Sequence, residues 1–349
     1  MHHSKRGVLL VAAAGILLAH GAGIGSAPAD GGQQPTSPPP IAAATPGPDD
    51  EIAYVCPMHA DYTSETAGTC QICGMTLVVA TPYDVRDYGL TLTTTPAVVK
   101  AGEKAHLRLA IVHPGTGEPV TEFQTVHDRQ YHLFVISQDM SVFEHVHPEQ
   151  EADGAWGIDV VLPKPGYYKV LSDFLPTRGA AQFIARPLVT AGFDGDLASS
   201  SARLVPDTTL TKTVDDLIVT VSYQPERFVP GQYSHLIYFL TDAKTGRPVT
   251  DLQTYLGAFG HTLIMSEDMM DYVHSHPLDI ENFDPEMGPR PFMLPADVDP
   301  ATLRGGPEVV FEGLIPKPGR YRAWTQFRRR DRIHTVAFTF ETAPDAGTP

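Results

Sequence analysis

From about residue 88 onward the chain is written in short runs whose apolar positions alternate with polar or β-branched ones. Leu90–Thr93, His106–Val112, His132–Ser137, Ile158–Leu162 and Tyr168–Leu171 are such runs. Gly and Pro clusters bound them, as at Pro114-Gly115-Thr116-Gly117 and Pro163-Lys164-Pro165-Gly166. Runs of this length, period and punctuation predict β-strands joined by turns. No long segment carries a helical period. Six or seven strands in about 110 residues predict an immunoglobulin-like or cupredoxin-like β-sandwich.

The pattern then repeats. Residues 88–148 align with 217–277 at a constant offset of 129, pairing Pro96 with Pro225, Gly102 with Gly231, His106 with His235 and Gly117 with Gly246. Similarity resumes where Pro163-Lys164-Pro165-Gly166 meets Pro316-Lys317-Pro318-Gly319 at an offset of 153. The second copy therefore holds 24 extra residues, placed near 282–306, where a Pro/Asp/Gly-rich run reads as a long loop. Copies of this size are duplicated domains, since solenoid repeats are far shorter. The expected spans are 83–193 and 203–342.

One hairpin in each copy carries the histidines. If 131–147 turns at Asp139-Met140, opposed residues sum to 279, so His132 faces His147 and His145 faces Phe134. His145 and His147 are two apart and share a face. All three imidazoles then project from one side, within reach of one ion. In the second copy the sum is 537, and His261, His274 and His276 form the same trio. Neutral imidazoles suit Cu(II), Zn(II) or Ni(II). The alternative is a set of structural histidines bonded to loops. Asp139 and Asp268 read as turn formers, Met140 and Met269 as too far along the hairpin to join, and His106 and His235 as structural. Arg328-Arg329-Arg330 reads as a solvated turn. The His-Leu-x-Val-x-Ser-x-Asp run ending in His145-Val-His147-Pro148 resembles a family of exported bacterial proteins that often occur with metal-binding modules. The second copy departs from it by Ser275 inside its His-x-His and by its insert.

Ahead of the repeats lie all three cysteines, in Cys56-Pro57-Met58-His59 and Cys70-Gln71-Ile72-Cys73-Gly74-Met75. Thiolate, thioether and imidazole are donors that soft ions select, and a Cys-x-x-Cys pair converges two sulfurs across a tight turn. A disulfide with one cysteine left over is the alternative. Tyr54-x-Cys56-Pro57-Met58-His59 with Cys70-x-x-Cys73-Gly74-Met75-x-Leu77 resembles the small heavy-metal-binding domain of copper-exporting P-type ATPases and of adaptors in copper/silver efflux pumps. The resemblance covers roughly 53–80. It implies ligation of Cu(I) or Ag(I) by Cys56, Cys70 and Cys73, with Met58, His59 and Met75 as further candidates.

The N-terminus has Lys5 and Arg6, an apolar run from Gly7 to Ala19, and Ala27-Pro28-Ala29. This reads as a signal peptide over 1–29, with an uncleaved anchor as the alternative. No other stretch is apolar enough to span a membrane. Residues 30–50, rich in Pro, Gly and Ala, read as a linker. The 349 residues carry a net charge of −16, which argues against nucleic acid or anionic lipid as partner.

The expected architecture is all-β: a Cys-rich module at 51–81, then two tandem sandwiches. The expected function is that of an exported, periplasmic or secreted metal-binding protein of copper or silver homeostasis, without enzymatic activity. Its partners would be metal ions and a metal efflux pump or P-type ATPase. The alternatives are an accessory interaction subunit of such a system and a metal-dependent enzyme with a three-His centre.

Overall fold

The computed structural model describes residues 53–56, 62–64, 66–71, 74–80, 87–177, 179–280, 290, 292, 294 and 298–344. The expected signal peptide and linker lie outside the described residues. So do Met58, His59, Cys73 and much of the 282–306 insert. The fold is all-β. No helix among the described residues is long and apolar enough to cross a membrane.

Three short strands make the N-terminal module: β1 (Ala53–Val55), β2 (Thr63–Ser64) and β3 (Val78–Ala80), in the order β2-β1-β3. The first sandwich contains β4 (Gly89–Thr95), β5 (Lys104–Val112), β6 (Phe123–Gln124), β7 (Tyr131–Ser137), β8 (Phe143–Val146), β9 (Glu149–Gln150), β10 (Trp156–Val161), β11 (Tyr167–Pro176) and β12 (Gln182–Val189). Its sheets run β4-β5-β10-β9 and β12-β11-β7-β8, with β6 added to β11. After a four-residue helix, Leu197–Ser200, the second sandwich contains β13 (Thr211–Val214), β14 (Leu217–Gln224), β15 (Tyr233–Asp242), β16 (His261–Ser266), β17 (Tyr272–Ser275), β18 (Glu308–Leu314), β19 (Arg320–Arg329) and β20 (Arg332–Glu341). Its sheets run β13-β14-β15-β18 and β17-β16-β19-β20. Strand for strand, β4-β5-β10 corresponds to β14-β15-β18, and β12-β11-β7-β8 to β20-β19-β16-β17.

Each sandwich closes over its own core. Leu133 and Val135 of β7 turn inward with Leu107, Leu109, Trp156, Tyr168 and Val170. Ile264 of β16 does the same with Leu236, Tyr238, Phe311, Phe327 and Phe338. The alternate residues of β7 and β16 point out of their sandwiches, yet every residue of both strands is buried. The outward residues meet one another. Phe134, Ile136, Met140 and Leu171 of the first sandwich pack with Leu263, Met265, Met269 and Trp324 of the second. Ala202 and Leu204 of the connecting segment join the same cluster.

This junction is reciprocal. Lys169 donates to the carbonyl of Met269, and Arg322 donates to that of Met140 at 2.8 Å. Lys169 and Arg322 occupy equivalent positions, as do Met140 and Met269. The two sandwiches thus meet through the same face, as the subunits of a two-fold dimer would. Phe143 stacks on Trp324 with centroids 4.9 Å apart, and Phe183 stacks on Tyr272 at 3.6 Å.

The module rests on the first sandwich. Val55 and Val78 pack with Leu175, Val126 and Ala181. The expectation of a solvated Arg328–Arg330 turn is corrected in part. Arg330 and Asp331 do form a left-handed turn, but Arg329 is buried and bonds Asp216, Asp242 and Asp251. Three carboxylates from separate segments offset its desolvation, a pairing that local sequence does not display.

Trp324→Ala removes the largest apolar side chain of the junction. It is expected to lower stability by about 3–5 kcal/mol. Urea titrations followed by circular dichroism would measure this. A loss of less than about 1 kcal/mol would mean that the outer faces are not held together as described.

Candidate metal centre

The hairpins pair as their sequences require. Leu133 faces Val146 and Phe134 faces His145 in the first sandwich; Thr262 faces Ser275 and Leu263 faces His274 in the second. These pairs keep the sums 279 and 537. The turns are shaped by the residues expected to shape them. The Asp139 carboxylate accepts from the Ser141 amide at 3.2 Å, and that of Asp268 from the Met270 amide at 3.0 Å. Met140 and Met269 adopt left-handed conformations at φ 57° and 59° and bury their side chains in the junction. His106 bonds Asp159 and Glu151, and His235 bonds Glu312, on faces remote from these hairpins.

The register brings each trio together. One ligand atom from each of His132, His145 and His147 lies within 4.8 Å of the others, and the same holds for His261, His274 and His276. Because the outer faces meet, these rings sit inside the junction.

Four of the six rings are held at one nitrogen, which leaves the other for a ligand. His132 donates through Nε2 to the Val126 carbonyl at 3.1 Å, and its equivalent His261 donates through Nε2 to that of Tyr255 at 2.9 Å. A carbonyl only accepts, so Nδ1 of both rings carries a lone pair. His145 donates through Nδ1 to Gln326 Oε1 at 2.8 Å, and its equivalent His274 through Nδ1 to Asp173 Oδ2 at 2.9 Å. Gln326 donates its own amide to Thr335 Oγ1, which leaves Oε1 for His145. Nε2 of His145 and of His274 is therefore the free atom. Gln326 and Asp173 are again equivalent positions, and each orients a histidine of the other sandwich. Both were missed in sequence because this bond crosses the junction.

In the first sandwich the two bare nitrogens, His132 Nδ1 and His145 Nε2, lie 3.2 Å apart. Lone pairs so placed repel unless a cation lies between them. Nitrogens bound to one tetrahedral ion at about 2.0–2.1 Å stand roughly 3.3 Å apart. In the second, His261 Nδ1, His274 Nε2 and both nitrogens of His276 are buried with no hydrogen-bond partner, as is His147 Nε2 in the first. Buried polar atoms are almost always paired, so a cluster of orphans calls for an explanation.

A seventh ring escaped sequence reasoning. His127 stacks on His276 with centroids 3.5 Å apart and meets His132 and His261 edge-on at 6.4 and 5.9 Å. It sits in a left-handed turn at φ 51°, where the second copy has Leu256 at φ 55°. The repeat comparison hides it, since only matching histidines draw notice.

Burial, reinforced by neighbouring rings, favours the neutral form of His127, His132, His145, His147, His261 and His276. It lowers His132 to about 4 and His127 and His147 to about 3. His145, His261 and His276 lie well below the ordinary imidazole value for the same reason. Burial opposes ionisation of Asp173, but the bond from His274 and the adjacent rings outweigh it and lower its carboxyl. Neutral imidazoles are the ligating form.

In the module, Cys56, Cys70 and Met75 are buried with Leu77. The Cys70 amide donates to Met75 at 2.8 Å, and the Gly74 amide to the Cys70 carbonyl at 2.7 Å. Gly74, at φ 75°, closes the turn in a conformation that favours glycine. Met58, His59 and Cys73 lie outside the described residues.

The metal-free protein is expected to lose stability on acidification. An unfolded histidine titrates near 6.5. Between that value and about 3–4 the unfolded chain binds more protons than the folded one, so stability is full above about 6.5 and falls as pH drops. Denaturation midpoints should hold from pH 7.5 to about 6.5 and decline from there to pH 4; a profile flat over the whole range would contradict neutral buried imidazoles.

The model of the heavy metal binding domain matches residues 53–79. The chain is also similar to solved all-β structures. These include the Escherichia coli adhesin FdeC, at 11% identity and TM-score 0.23 over 77% of this chain and 71% of that one. The Yersinia pseudotuberculosis adhesin InvE matches at 11% and 0.22 over 73% and 60%, so this chain spans about 60% of InvE's length. The fibronectin(III)-like modules of Clostridium thermocellum CbhA match at 9% and 0.18 over 74% and 94%. None of the curated proteins matches. The model of the domain of unknown function DUF8832 matches residues 83–189 and 212–344, most of the chain and both sandwiches, and the chain belongs to that family.

Proposed function

We propose that the protein is an exported metal-binding protein of copper or silver homeostasis. Its module would take a soft ion through Cys56, Cys70 and Cys73, with Met58, His59 and Met75 as further donors. Its histidine trios would hold an ion in the junction. The observation that carries this reading is the pair of bare imidazole nitrogens 3.2 Å apart, His132 Nδ1 and His145 Nε2, each fixed by a hydrogen bond at its other nitrogen. Fixing the remote nitrogen is how metal-ligating histidines are oriented.

Copper is favoured because its two oxidation states match the two donor sets. Thiolate and thioether suit Cu(I), and imidazole suits Cu(II). Silver would fit the module alone, and Zn(II) the trios. Export is supported by the charged and apolar N-terminal run. An efflux pump or P-type ATPase as partner rests on the module's likeness to domains of such systems. No catalytic role is proposed.

Metal analysis of protein purified from the exported fraction, with Cu(I) and Zn(II) competition titrations, tests the reading. Replacing Cys70 and Cys73 together by Ser should abolish tight Cu(I) binding by the module and leave Cu(II) uptake at the trios intact. Unchanged Cu(I) affinity in that variant would remove the module from the function.

A further inference from the structure

The two trios are not separate sites. Within a trio the ring centroids lie 4.6–5.9 Å apart. Between trios they are hardly farther: His132 to His274 is 5.9 Å, His145 to His274 is 6.1 Å and His145 to His261 is 6.2 Å. At these separations the rings are neighbours, two of the three pairs edge to face and the third tilted, with no apolar layer between the two sets. His127 adds a ring in contact with members of both.

The supports are shared as well. His145 of the first trio is oriented by Gln326 of the second sandwich, and His274 of the second trio by Asp173 of the first. Neither sandwich alone presents its trio with fixed tautomers. A cleft of about 200 Å³ leads to the cluster, lined by His127, Asp173, Phe183, Tyr272, His274 and His276 among others. It offers a way in for ions and water.

We infer that the six histidines make one binuclear metal centre across the junction, with one borderline first-row divalent ion per trio. The two ions lie close enough to interact. Six imidazoles bring no charge to balance them, and among the described residues Asp173 is the one carboxylate that bonds a ring of either trio. A small anion from solvent, such as hydroxide, is expected to complete the centre through the cleft. This rests on the reading that the trios bind metal, and goes beyond it in making the sites interdependent.

Cu(II) is the probe. The full chain carrying Cys70→Ser and Cys73→Ser should bind two Cu(II), read by metal analysis. Its electron paramagnetic resonance should show a half-field transition, or an integrated intensity well below two spins per chain. Loading one equivalent each of Cu(II) and Zn(II) should remove the coupling in the chains that hold both metals, without any further mutation. His147→Ala should leave one Cu(II) with an uncoupled spectrum; should that variant not fold, the mixed-metal sample still decides. Two Cu(II) with full two-spin intensity and no half-field line would overturn the binuclear centre and leave metal binding standing. A single Cu(II) per chain would also overturn it. No Cu(II) at all would overturn both readings.

Discussion

The outer faces of two β-sheets press against each other, and every polar group between them must find its partner there. That requirement governs the molecule. Apolar residues supply the adhesion: Phe134, Ile136, Leu263, Met265 and Trp324 are buried only because the sandwiches meet. The imidazoles work against it. An unpaired polar atom in a protein interior costs about 1–3 kcal/mol, and five ring nitrogens of the trios are unpaired. Apolar side chains of similar volume would pack there without that penalty. Six histidines held at such a cost, four of them with a bond at the remote nitrogen that fixes the tautomer, are the kind of local conflict that marks a functional site.

Much of this was legible in the chain and some of it was not, for physical reasons. The trios were legible because hairpin register is local. Asp139 and Asp268 fix the turns through their amide bonds, and every pair along β7–β8 and β16–β17 follows. The junction was not legible as such. Its only trace was that β7 and β16 carry Phe134, Ile136, Leu263 and Met265 on the face that a solvated sheet would make polar. Asp173, Gln326 and Arg329 act on residues roughly 80–180 positions away, and no periodicity reports contacts of that kind. Their roles depend on how two finished sandwiches dock, which is decided after the strands are.

The module fits the same logic on a smaller scale. A segment this short buries little apolar surface alone. Val55 and Val78 therefore lean on Leu175, Val126 and Ala181 of the first sandwich. Val126 takes part twice, since its carbonyl also accepts the bond that fixes His132. The loop it belongs to continues into His127. The module's seat and the bond that orients His132 thus meet at one residue, Val126. A tether alone would raise effective concentration between the two sites; packing against the first sandwich also places the module beside the loop that carries Val126 and His127.

The matching strand orders of the two sandwiches give the frame of the site and not its details. The strand correspondence, the paired carbonyl bonds of His132 and His261, and the reciprocal contacts of Lys169 and Arg322 are all consistent with one ancestral face meeting its copy. The exceptions fall at the mouth of the cleft. Asp173 stands where the other sandwich has Gln326, and His127 where it has Leu256. A carboxylate holding His274 makes that imidazole a stronger donor than the neutral amide makes His145. An additional ring over His276 shields the same trio. The two halves of the cluster therefore present different fields to an ion, and the cleft opens on the half with the charge. A two-fold frame with one-sided chemistry is what separates a site that distinguishes its two positions from a duplicated fold that merely repeats them.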